Sequence, residues 1–90
     1  MLFMSIYTYE PENKEAVINR RLEKGPMVQE GSKIVGEWSS LLGGLNFRLV
    51  EVENPRSMLG SAAAWNDLGK IEIYPVMPTE EVFKLLASKK

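Results

Sequence analysis

The chain contains no cysteine and no histidine, and Asp67 is its only aspartate. These absences exclude disulfides, thiol nucleophiles, imidazole acid–base chemistry and zinc sites built from Cys or His. Neither sign of charge predominates: 11 basic residues stand against 12 acidic ones, a net charge of −1. Nothing electrostatic therefore points to nucleic acid or to an anionic membrane surface as a partner. No stretch reaches the roughly 20 apolar residues of a membrane helix. The opening MLFMSIYTYE lacks the basic start and cleavage site of a secretory signal, so a soluble cytoplasmic protein is expected.

What is present is enough for one domain spanning residues 1–90. The apolar fraction is 44% of the 90 residues, and the low net charge argues against disorder. Leu2–Tyr9 reads as a strand that Glu10-Pro11 ends. Lys14–Lys24 reads as a helix, with Asn13 before it, Gly25-Pro26 after it, and Ala16, Val17, Ile18 and Leu22 as its apolar stripe. The runs 33–42 and 45–53 read as strands joined at Gly43-Gly44, where both turn residues can take positive φ. Asn54-Pro55 opens a second helix running to about Leu68, and Gly69 stops it. A fourth strand covers 70–76, with Ile71, Ile73 and Pro75 on one face. A last helix starts at Pro78-Thr79, to be docked by Val82, Phe83 and Leu86.

The order β-α-β-β-α-β plus a C-terminal helix predicts an α+β, ferredoxin-like fold with a four-stranded antiparallel sheet and both long helices on one face. In such a fold the first and third strands are central. Neither shows a fully polar face, so the sheet is expected to need a second cover. A second copy supplies one, which makes a homodimeric α/β barrel the expected assembly. The other arrangement is a monomer whose open face carries Phe3, Tyr7 and Tyr9 as a binding platform.

With the residues laid out, MLFMSIYTYEP, RRLEKGPMVQEG, GLNFRLVEVENP and WNDLGKIEIYPV resemble a small domain-of-unknown-function family of bacteria and archaea within the dimeric α/β-barrel superfamily. That resemblance implies the fold and dimerisation, and no activity. Larger members of the superfamily include cofactor-independent monooxygenases and heme-handling enzymes. The absence of histidine separates this chain from the heme-handling branch.

Seven side chains are the candidate ligand-binding residues: Tyr7, Trp38, Arg48, Glu51, Trp65, Asp67 and Tyr74. Trp38 is placed on one strand face with Ile34 and Gly36, either as cavity wall or as packed core. Arg48 and Glu51 fall on opposite faces of a central strand, so one of them needs a buried partner. Glu51 would meet Arg20 or Arg21; Arg48 would meet Glu37, Glu72 or a ligand carboxylate. Asp67, near a helix C-terminus, either caps the turn or meets Lys70 or an Arg. Tyr7 and Tyr74 lie on neighbouring strands, where either phenol would orient a ligand or pack an interface. Gly60-Ser61 with Ala62-Ala63-Ala64 is small enough to leave space beneath the second helix. Arg20, Arg21, Lys24 and Lys33 read as a solvated face.

No cofactor and no metal is expected. Three functions remain in play: binding of a small, largely apolar molecule in a pocket of Trp38, Tyr7 and Tyr74; a structural assembly module; and a cofactor-independent oxygenase or isomerase with Glu51 or Asp67 as base.

Overall fold

The computed structural model describes residues 1–88. Strand β1 (Leu2–Thr8) leads through a 3-10 turn to helix α1 (Lys14–Lys24). Strands β2 (Ser32–Ser39) and β3 (Leu45–Val52) follow, then helix α2 (Arg56–Ala63), strand β4 (Lys70–Pro75) and helix α3 (Thr79–Ser88). All pairings are antiparallel in the order β2-β3-β1-β4, which is the ferredoxin-like arrangement. The β2–β3 turn depends on Gly43 and Gly44, at φ +84° and +81°. α2 ends earlier than the sequence suggests: residues 64–69 form turns that carry Trp65 instead of continuing the helix.

Register assigns the faces. Phe3, Ser5 and Tyr7 of β1 lie opposite Val50, Arg48 and Asn46 of β3, and this set faces the helices. Met4, Ile6, Phe47 and Leu49 point to the other face, where neither long helix lies. Phe3 and Tyr7 are buried, so the aromatic open-face platform of Phe3, Tyr7 and Tyr9 does not form.

β2 breaks the alternation. Its pairing steps from Ile34–Val50 to Gly36–Leu49, which leaves Val35 as an extra residue in a β-bulge. Ile34 thus faces the helices, while Gly36 and Trp38 face away, contrary to the single face expected for all three. Trp38 lies over Gly36, where a Cβ would sit 2.6 Å from the indole. It remains 57% exposed.

The core is split. Phe3, Val50, Val52 and Met58 form one buried cluster with Ile73 against it. Tyr7, Val17 and Trp65 form another, flanked by Tyr9, Met27, Leu68 and Ile71. α3 joins neither. None of its residues is buried, and Val82, Phe83, Leu85 and Leu86 stay exposed, so the expected docking is not seen within the chain. The radius of gyration is correspondingly large, 15.0 Å, against roughly 12 Å for a compact domain of this length.

Candidate functional site

Between the two core clusters, under α1 and α2, lies an open cavity of about 400 Å³. Its origin is visible in the residue types. The helix-facing positions of β1 and β3 include Ser5, Asn46 and Arg48, which do not interdigitate with a helix as Val or Leu would. α2 adds Ser61 and Ala62, too small to fill the gap. Ile71, Ile73, Met58 and Val17 make the apolar walls, with Ile18 and Leu22 of α1 also lining it.

One end is charged. Glu37 accepts two hydrogen bonds from Arg21, at 2.8 and 2.7 Å, and two from Arg48, at 3.3 and 3.0 Å. The Arg48 side chain is only 12% exposed and Glu37 17%, so this pairing sits largely out of water. Arg21, and after it Arg48, holds the Glu37 carboxyl down at about 2, against the opposing effect of burial. Glu37 is thus a fixed anion and a poor proton acceptor at neutral pH.

A pH dependence follows. The native pKa of Glu37 lies below its ordinary value, so the stabilisation is complete above the unfolded-state pKa near 4.5 and is lost as pH falls toward 2. About 2–3 kcal/mol should disappear over that window. Urea denaturation at a series of pH values should show the loss in the native protein and much less of it in Glu37→Gln. An equal acid response in both would assign it elsewhere.

The other end is a braced corner. The Tyr7 hydroxyl donates to the Trp65 carbonyl at 2.8 Å. The Trp65 indole N–H donates to the Pro26 carbonyl at 3.3 Å, and its ring meets Tyr7 edge-on at 5.9 Å. Arg20 donates to the Ala64 carbonyl, binds both Asp67 oxygens at 2.7 Å and lies 5.6 Å from the Trp65 ring centre. Asn13 holds the Leu68 carbonyl at 3.0 Å. Burial, followed by the nearby Asp67 charge, pushes the Tyr7 phenol above its usual pKa, so it stays protonated as a donor.

The structure therefore gathers Tyr7, Arg48 and Trp65 around the cavity and separates the other four candidates from it. Trp38, Glu51 and Tyr74 lie on the opposite sheet face, so the pocket of Trp38, Tyr7 and Tyr74 is divided by the sheet itself. Glu51 meets neither Arg20 nor Arg21; it pairs with the N-terminal ammonium at 2.9 Å. Tyr74 donates to Glu72, which raises its pKa. Asp67 is exposed, and the Arg20 hydrogen bonds lower its pKa. A base at Glu51 or Asp67 would act outside the cavity. Arg20 and Arg21 are ion-paired braces and not a free basic face.

Arg21, Ser5 and Asn46 were not among the expected site residues. The signal for Ser5, Asn46 and Arg48 was parity: polar residues share a face with Phe3, Tyr7 and Val50, on central strands beneath helices. Among the described residues no group of His, Cys, Asp or Glu is arranged to hold a metal ion, and no helix is long and apolar enough to cross a membrane.

Comparison with known proteins agrees with this fold. The profile of a family described as a domain of unknown function (DUF3303) matches residues 1–90. No curated protein matches the chain. Among solved structures, the chain is similar to a Deinococcus radiodurans protein provisionally named an antibiotic biosynthesis monooxygenase. The TM-score is 0.50 at 12% identity, over 87% of this chain and 93% of that one. At that identity the likeness is one of fold alone.

Proposed function

We infer that this chain, which belongs to the DUF3303 family, binds a small, largely apolar molecule in the cavity beneath α1 and α2, and does so as a homodimer. The cavity carries the reading. A chain this short has little core to spare, yet it leaves about 400 Å³ open between two apolar clusters. Apolar walls with a few convergent polar groups are the usual composition of a small-molecule site. The assembly reading gives no account of that space. The oxygenase or isomerase reading asks for a carboxylate base in the cavity, and the carboxylate lining it, Glu37, is held by two arginines at a pKa too low to take up a proton readily.

The homodimer rests on a second observation. Met4, Ile6, Phe47, Leu49 and Trp38 share the face away from the long helices, and α3 projects with its apolar side exposed. Face-to-face packing of two such sheets would cover both surfaces and close a barrel. Native mass spectrometry of gently purified protein tests both claims together. The expected result is a dimer carrying a reproducible small-molecule mass that Ala62→Phe, which fills the cavity, no longer retains. A monomer would overturn the dimer; retention unchanged in Ala62→Phe would move the ligand out of the cavity. Trp38→Glu, a charge on the most exposed aromatic of the apolar face, should give monomers by analytical ultracentrifugation, and a persistent dimer would show that another surface pairs.

A further inference from the structure

We propose that the cavity's ligand is an amphiphilic anion, with an apolar body and one carboxylate or equivalent oxygen anion that docks on Arg48. This rests on the cavity being the binding site, and it specifies the ligand class.

The charges do not cancel at this end of the cavity. Two guanidiniums, Arg21 and Arg48, share the single carboxylate of Glu37, which leaves one positive charge in excess. Glu37 is already heavily engaged, since it accepts four N–H groups, three of them on Oε2. Arg48 does have capacity. Its guanidinium carries five N–H donors. Nε and one N–H of Nη2 go to Glu37, and one N–H of Nη1 makes a long 3.4 Å contact with the Pro26 carbonyl. One N–H on each terminal nitrogen has no protein partner among the described residues. A side chain 88% shielded from solvent with two free donors pointing to no protein acceptor suits a ligand oxygen pair.

Its surroundings fit the same ligand. Ser5 lies directly across the strand pair from Arg48, and its hydroxyl has no hydrogen-bond partner among the described residues. Beyond this polar end stand Ile71, Ile73 and Met58, which can take only an apolar body. A neutral ligand would leave the excess charge uncompensated in a half-enclosed site, and a dianion would overshoot it.

A matched pair of fluorescent probes tests this. 1-Anilinonaphthalene-8-sulfonate carries one anionic group; N-phenyl-1-naphthylamine is the same skeleton without it. Both are titrated into the full chain, Ala62→Phe, Arg48→Met and Arg48→Lys. The expected pattern is that Ala62→Phe loses both probes. Arg48→Met should weaken the sulfonate about tenfold or more, the loss of charge-assisted hydrogen bonds, and leave the neutral probe within about twofold. Arg48→Lys, which keeps the charge, should recover part of the sulfonate affinity. If both probes bind with equal affinity and Arg48→Met changes neither, the anion proposal is overturned while the cavity reading stands. If neither probe responds to Ala62→Phe, the cavity reading fails and the proposal fails with it.

Discussion

Trp65→Ala is expected to cost about 3–5 kcal/mol of stability, the largest loss of any single truncation in this chain. The indole is 7% exposed and forms one of the two core clusters with Tyr7 and Val17 as its buried partners. Truncation would enlarge a space that is already open, so the neighbours could not collapse onto it. It would also remove the support for the Arg20 guanidinium, and the hydrogen bond to Pro26. Small domains have only about 5–15 kcal/mol in total. Urea denaturation followed by circular dichroism measures the change. Trp65→Phe, which keeps a ring and loses the N–H, should retain most of the stability. A loss below about 1 kcal/mol for Trp65→Ala would place it among ordinary surface changes and remove the corner's structural role.

Gly69→Ala should be the second most damaging change, by about 2–3 kcal/mol of overpacking. An added Cβ would lie 2.5 Å from the Thr8 carbonyl oxygen and 2.7 Å from the Tyr7 ring. One obstacle is backbone in a central strand, and the other is a buried aromatic fixed by its bond to Trp65. Neither can move cheaply. Gly60→Ala is the control. Its Cβ would also come within 2.6 Å of another atom, but that atom belongs to the flexible, exposed side chain of Gln29. Within α2, alanine gains about 0.5–1 kcal/mol over glycine. Thermal melts should therefore drop by on the order of 10–20 °C for Gly69→Ala and hold or rise for Gly60→Ala. Equal effects would mean that a Cβ's immediate neighbours do not decide the outcome here.

Much of the fold was legible because turn chemistry marked it. Gly25-Pro26, Gly43-Gly44, Asn54-Pro55 and Gly69 fall at or beside element boundaries, and strict alternation placed Arg48 and Glu51 on opposite faces. The site was less legible, for two local reasons. An extra residue in β2 reverses side-chain parity, so Trp38, assigned to one face with Ile34, lies on the other. Arg21 could not be placed from the ragged apolar stripe of α1. Only the folded geometry brings it to Glu37, sixteen residues away in the chain. Asp67 and Glu51 attracted notice as charges needing partners, and each found one outside the cavity.

The bulge at Val35 has an effect on more than parity. β2 is an edge of the sheet, a row of backbone groups on which another chain could lay a strand and begin a fibre. An extra residue interrupts the repeat of those groups and coils the edge locally, so an incoming straight strand loses register after a few bonds. On the opposite edge, Pro75 closes β4 without an N–H to offer. The molecule thus exposes a broad apolar face while spoiling both borders as templates. Open-ended strand addition is disfavoured at both borders, and the proposed face-to-face pairing would need neither of them.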